Sequence, residues 1–384
     1  MGRKTLFFEL NPESPVVKTS LNIAFFGSSL VSACWNGAAT YYRGIARALA
    51  ERGHRITFYE SDVYSQQQNR DMADPDWAKI VVYSAESPER VLATVEQARE
   101  ADLVVKVSGV GVFDELLDEA VLDLQGPTTR VVFWDVDTPT TLGRITQNLN
   151  DPFRALIPRY DFILTHGGGD AVVDAYEGFG ARQCEPIYSA LDPHTHFPVP
   201  SEARFAASLG FLGSRLPDRE RCVEEFFLRT ATLLPEKQFL LGGSGWEDKP
   251  TGSNVQCVGH VYTRDHNAFN CTPMAVLNIN CESSARYGSS PPTRIFEAAG
   301  AGACLITTAW SGIELFLEPN KEVLVAYDAE DIARHLSSLT LARAREIGEA
   351  ALARIRAEHT YQHRVLQLES LLEMRRSLSI AIAV

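Results

Sequence analysis

The tightest constraint on this chain is a pattern that occurs twice: short continuous apolar runs, most of them followed by a helical stretch. In the first half the runs lie at 22–26, 55–59, 80–83, 103–107, 131–134, 162–165 and 185–188. Helical patterns cover 38–52, 88–99, 112–124 and 170–177. A run that is apolar on both faces needs cover on both faces, and strands joined through helices pair in parallel. Residues 189–204, with Pro193, Pro198 and Pro200, lose the periodicity and read as a linker. The pattern then restarts at 209–212, 238–241, 255–258, 275–279, 304–307 and 323–325. Helices are expected over 218–232 and near 265–267, and residues 328–376 read as almost wholly helical. The chain of 384 residues is long enough for two such domains, each with its own core.

Composition narrows the class of partner. The formal net charge is −13, which argues against a nucleic-acid binder or a protein held on anionic lipid, since both need a basic face. Seven cysteines stand at 34, 184, 222, 257, 271, 281 and 304, never spaced Cys-x-x-Cys. They fit free thiols in a reducing cytoplasm better than disulfides or a zinc site. The N-terminal apolar run is too short for a signal peptide, and no stretch approaches membrane-spanning length. The expected location is cytoplasmic. His194-x-His196 in the linker and His359/His363 on a late helix lack visible third and fourth ligands, so no metal site is assigned.

The stretch Pro291-Pro292-Thr293-Arg294-Ile295-Phe296-Glu297-Ala298-Ala299-Gly300 concentrates the chemistry. Proline suits the first turn of a helix, where its missing N–H costs nothing. Arg294 and Glu297, three apart, share one face of that first turn. There an arginine can hold a phosphate and a carboxylate can accept from two sugar hydroxyls. The plain alternative is a surface ion pair.

Pro-x-Arg-x-Phe-Glu-Ala-x-x-x-Gly, closing on the short strand Cys304-Leu305-Ile306-Thr307, resembles the donor-site motif of glycosyltransferases with the GT-B architecture. It looks closest to the branch named after the spore-maturation protein CgeB. The resemblance implies two Rossmann-like domains facing across a cleft. The acceptor domain would span 1–190 and take back a C-terminal helix at about 359–384, and the nucleotide-sugar donor domain would span 205–358. In the family the glutamate matching Glu297 grips the donor ribose. Many retaining members carry a second glutamate eight residues earlier, where this chain has Ser289. That departure leaves the sugar contacts and the stereochemistry open. The resemblance also implies transfer without a metal ion or other cofactor, helix ends and arginines stabilising the leaving diphosphate. A UDP-sugar is the expected donor, and a hydroxyl-bearing molecule the acceptor.

Other candidates lie just after the apolar runs, where ligands sit in open α/β sheets. Gly213-Ser214-Arg215, with Arg219, follows the first run of the second half and suits a phosphate. Its plain alternative is solvated arginines. Gly243 belongs to a glycine-rich turn that lets backbone approach a ligand, or is simply a turn. Val261 and Tyr262 stand where GT-B enzymes frame the nucleotide base. In the first half, Ser28, Trp35 and Asn36 are acceptor-side candidates, although a core tryptophan is as common. Asp137 and His166 each follow a strand and could act as the general base of an inverting transfer. A helix cap and a turn histidine are their plain readings. In a retaining transfer His166 would instead bond the donor sugar. Two alternatives stay open: a nucleotide-sugar epimerase, and a sugar- or nucleotide-binding protein without catalysis.

Overall fold

The computed structural model describes residues 20–32, 38–63, 66–280 and 291–382, with side chains to residue 372 apart from that of Asp218. Trp35, Asn36, Ser289, Cys34, Cys281 and the N-terminal run lie outside the described residues. The chain forms two compact units, Met1–Ile187 and Tyr188–Val384.

The first unit alternates β1 (Asn22–Gly27), α1 (Ala39–Glu51), β2 (Arg55–Ser61), β3 (Ala78–Tyr83), α2 (Pro88–Glu96), β4 (Leu103–Val107), α3 (Asp114–Ala120), β5 (Arg130–Asp135), α4 (Thr138–Gln147), α5 (Phe153–Leu156), β6 (Phe162–Thr165), α6 (Gly169–Gly178) and β7 (Cys184–Pro186). Its seven-stranded sheet runs β3-β2-β1-β4-β5-β6-β7, and every pairing is parallel. All five residues of β4 are buried, as a strand covered on both faces requires. Lys106 is among them, compensated by Asp114 at 2.6 Å and Asp118 at 2.8 Å.

The second unit contains β8 (Leu209–Leu212), α7 (Pro217–Val223), α8 (Arg229–Leu233), β9 (Phe239–Gly242), β10 (Val255–Gly259), α9 (His266–Cys271), β11 (Ala275–Asn278), α10 (Thr293–Gly300), β12 (Leu305–Thr308), β13 (Leu324–Ala326), α11 (Ala329–Ser338), α12 (Leu341–Glu358) and α13 (Tyr361–Ile382). Its six strands run β10-β9-β8-β11-β12-β13, again all parallel. Chain order reverses between β1 and β4 in one sheet and between β8 and β11 in the other, the place where ligands gather in such sheets.

The single helix expected over 218–232 is two helices joined by a π-turn at Glu224–Leu228. Thr230 Oγ1 donates to the Phe226 carbonyl at 2.6 Å within that region, a side-chain bond that competes with the regular ladder. The helical stretch after 328 is three helices. Asp328 and Thr340 cap the first two by accepting from the N–H groups of Asp331 and Arg343. Residues 187–202 hold no helix or strand, as their composition implies, yet they are firmly fixed. Leu191 N donates to the His359 carbonyl at 2.8 Å, and Tyr361 N donates to the Leu191 carbonyl at 3.1 Å. Leu191 also packs so closely on Gly300 that a Cβ there would stand 2.3 Å from its Cδ1.

Candidate functional site

In the second unit the turns after β8, β9 and β10 stack by backbone bonds. Gly213 N donates to the Gly242 carbonyl at 3.0 Å, and Gly243 N donates to the Gly259 carbonyl at 2.7 Å. Gly243 has φ +120°, and a Cβ on it would meet the Gly213 carbonyl oxygen at 2.2 Å. The glycine there serves the close approach of a neighbouring turn. Trp246 locks the arrangement, its indole N–H donating to the Gly213 carbonyl at 2.7 Å.

The arginines of this region are already engaged. Arg215 bonds Glu220 and Asp248, at 2.7 and 2.8 Å, and Lys249 shares Glu220 at 2.7 Å. The bond from Arg215, with that from Lys249 next, pushes the Glu220 carboxyl down to about 2. Arg219 donates to the Ser214 carbonyl at 2.8 Å. Ser214 itself is exposed. After β10, Val261 is buried while Tyr262 is 60% exposed, with His260 edge-on to its ring at 4.7 Å. A broad exposed aromatic face beside the turns is the kind of surface on which a base can stack.

The first turn of α10 brings together the second set. Pro291 and Pro292 lead into the helix, and the Thr293 hydroxyl lies 3.0 Å from that of Ser189. Arg294 and Glu297 make no ion pair with each other. Arg294 donates to Asn270 Oδ1 at 2.8 Å and lies over the Phe269 ring at 6.0 Å. Burial lowers its pKa to about 10, against the pull of Glu297. Its Nε and the Asn270 side-chain nitrogen are both buried without an acceptor. Glu297 is 20% exposed, and among the described residues no donor lies within hydrogen-bond reach of its carboxylate. The nearest cation-forming group is His196, whose Nε2 stands 4.0 Å from Glu297 Oε1. His266 joins them, its ring 6.4 Å from that of His196. Since His266 Nε2 lies 3.2 Å from the Val261 carbonyl, which can only accept, that nitrogen carries the proton. Burial holds the His266 pKa below its ordinary value, with Glu297 opposing and Arg294 and His196 reinforcing.

Sequence reasoning missed His196, His266, Asn270 and Asn267 as members of this group. His196 was weighed only as half of a metal pair in a linker. Nothing in its spacing reveals that Asn267 clamps the linker turn, donating to the Thr195 carbonyl at 2.9 Å. Among the described residues no group of three His, Cys, Asp or Glu side chains is placed to hold a metal ion.

In the first unit the strand ends carry a different arrangement. Asp135, at the end of β5, is wholly buried. It accepts from Tyr176 Oη at 2.6 Å, Thr141 Oγ1 at 2.9 Å and Asp137 N at 3.1 Å. Asp137 is exposed at the start of α4 and makes no side-chain cap there. The His166 ring packs edge-on against Tyr41 at 4.6 Å. Burial pushes its pKa down to about 4, with the charge of Asp137 opposing. Asp137 and His166 are thus electrostatic neighbours at adjacent strand ends. Ser28, after β1, is half-buried and bonds the hydroxyl of buried Tyr42.

Residues 219–370 match the family described as glycosyl transferase-like. No curated protein sequence matches the chain significantly. Solved structures do. Sucrose-phosphate synthase from Thermosynechococcus elongatus aligns with a TM-score of 0.64 at 15% identity, over 93% of this chain and 100% of that one. Anabaena HepE, solved in complex with UDP and glucose, aligns at 0.64 and 14% identity, over 92% of this chain and 100% of that one. An α-glucosyltransferase in complex with UDP and a DNA 13-mer gives 0.63 at 12% identity, over 92% and 100%. The fold is that of GT-B glycosyltransferases, with a parallel sheet in each unit. The family match lies within the second unit, and the solved structures share the fold of the whole chain.

Proposed function

We propose that the chain transfers a sugar from a nucleoside diphosphate sugar, with UDP as the nucleotide, to a hydroxyl acceptor, without a metal ion. The observation that carries this is Glu297: a largely buried carboxylate, on a helix of the second unit, that receives no hydrogen bond from the described residues. Such a group is costly unless a ligand supplies the donors, and the vicinal hydroxyls of a ribose match a carboxylate. Exposed Tyr262 and the stacked turns at 213–215 and 242–246 lie on the same unit and suit a base and a diphosphate. Support for UDP comes from HepE and the α-glucosyltransferase, whose structures hold it.

The domain roles follow the same reading. Residues 205–358 bind the donor and residues 1–190 serve the acceptor, and the chain falls in the CgeB-type branch. His166, held neutral by burial, suits bonding the donor sugar in a retaining transfer better than taking a proton at neutral pH. Asp137, exposed, is the stronger candidate for a base in an inverting one.

Calorimetric titration of Glu297→Ala with UDP tests the assignment. A hydrogen bond to a charged group contributes about 1.5–3 kcal/mol, so affinity is expected to fall about ten- to a hundredfold. Glu297→Gln keeps one acceptor oxygen and loses less. A 2′-deoxy or 3′-deoxy nucleotide binds weakly to the native chain and loses little further in Glu297→Ala. Native-like UDP affinity in Glu297→Ala refutes the donor site.

A further inference from the structure

The turn that follows Leu191 is built to aim one imidazole. Its backbone closes on itself, with Thr195 N and His196 N both donating to the Asp192 carbonyl, at 3.1 and 3.0 Å. Asn267 on α9 clamps it from outside, accepting from Phe197 N at 3.4 Å and donating to the Thr195 carbonyl at 2.9 Å. His196 is 4% exposed, so its ring has little freedom. Its Nδ1 lies 2.9 Å from Thr195 Oγ1. The one hydroxyl proton of Thr195 is also within reach of the Asp192 carbonyl, at 3.2 Å. When that proton goes to the carbonyl, Nδ1 must carry its own hydrogen to bond Oγ1. The other nitrogen, Nε2, then carries a hydrogen only in the imidazolium. That nitrogen is the one 4.0 Å from Glu297 Oε1.

We propose that His196 is a positioning residue for Glu297: its imidazolium fixes the carboxylate in the orientation that meets the ribose, so that donor binding tightens as His196 takes up a proton. The inference rests on the donor-site reading above. The groups that face the pair come from α9, α13 and the helix of Glu297 itself. His266, on α9, gives its Nε2 hydrogen to the Val261 carbonyl. Arg294, on the helix that carries Glu297, donates through one NH2 to Asn270. Tyr361, at the start of α13, feels the charge of Glu297 and is buried in its neutral form. His196 is therefore the group of this cluster whose Nε2 faces the Glu297 carboxylate.

The test uses the full chain and UDP-glucose, whose phosphates keep a constant charge between pH 6 and 8. Binding is titrated calorimetrically across that range for the native chain, His196→Gln, His196→Ala and His266→Gln, and the unliganded melting temperature of each is recorded. Native affinity is expected to rise about three- to tenfold from pH 8 to pH 6. His196→Gln, with an uncharged donor in place of the ring, should stay within about twofold of the native pH 8 affinity at every pH. His196→Ala should be flat with pH and about three- to tenfold weaker than native at pH 6, while His266→Gln should keep the native slope. A native pH slope surviving in His196→Gln overturns the inference, whatever the melting temperatures. So does a slope lost in His266→Gln but kept in His196→Gln. No binding of UDP-glucose to the native chain overturns the donor-site reading and the positioning role together, whereas binding lost in Glu297→Ala with His196→Gln matching the native affinity at pH 6 overturns the positioning role alone.

Discussion

Two carboxylates stand near the strand ends of the two units, and they differ in everything except residue class. Asp135 is wholly buried and accepts hydrogen bonds from Tyr176, Thr141 and the Asp137 N–H of its own unit. Burial pushes its carboxyl up, while the bonds from Tyr176, Ser108 and Thr141 pull it back. Glu297 is less buried, yet among the described residues nothing donates to it. A saturated carboxylate belongs to the scaffold: it ties β5 to α4 and α6. An unsaturated one leaves acceptor capacity for a ligand. The same contrast separates the basic groups. Lys106 is saturated by Asp114 and Asp118, whereas Arg294 keeps a buried Nε without an acceptor. Hydrogen-bond saturation, rather than residue type or depth, sorts support from site.

The largest effect should appear where the first unit departs from its saturated pattern, at Asp137 and His166. If one of them handles the acceptor proton, Asp137→Asn or His166→Ala should lower turnover about a hundredfold or more with donor affinity unchanged. Near-normal turnover in both variants would exclude an inverting mechanism through either. Next in size is a double dissociation between the two carboxylates. Asp135→Ala leaves the buried Tyr176 hydroxyl without its acceptor and should cost about 2–4 kcal/mol of stability in urea unfolding. Glu297→Ala should cost less than about 1 kcal/mol there, yet lose the nucleotide affinity. Equal stability losses would erase the distinction.

The sequence made this architecture readable because its carrier is local. Both sheets follow from continuous apolar runs, and α10 follows from two prolines ahead of Ile295 and Phe296. Arg294 and Glu297 were legible as a pair by spacing, but not as partners of Asn270 and His196. Those contacts depend on α9 and on a linker turn with no periodicity at all. The π-turn at Glu224–Leu228 was equally hidden, since its residues are ordinary helix formers. Spacing reports what shares a face; it does not report what packs against it.

His166 offers a smaller effect with a definite sign. Its folded pKa, about 4, lies below the ordinary 6.5. Between those values the unfolded chain holds a proton that the folded chain does not, so stability rises with pH across the window. The contribution is complete above about 6.5 and is lost as the pH falls toward 4. Urea unfolding should show the native chain losing about 1–3 kcal/mol more than His166→Gln over that interval. Parallel losses would mean that the ring stays solvated, and the first unit would be less closed around its strand ends than Tyr41 and Asp135 indicate.

The smallest effect concerns Arg215, where the comparison is least decided. Its guanidinium is shared by Glu220 and Asp248, which marks it as support for the turn after β8. Its position beside Gly213 and the exposed Ser214 marks it for a diphosphate. The two roles predict opposite responses to removing its partner. If Arg215 only holds the turn, Glu220→Gln loosens it and weakens UDP binding. If Arg215 meets the diphosphate, Glu220→Gln removes a competitor and strengthens UDP binding about two- to fourfold at low salt, an advantage that shrinks as salt is raised. Uridine, which lacks phosphates, should be indifferent to the change in either case that leaves the turn intact. Arg215→Ala completes the test, since a loss for UDP larger than that for uridine requires contact with the phosphates. Equal loss for both returns Arg215 to the scaffold, beside Lys106.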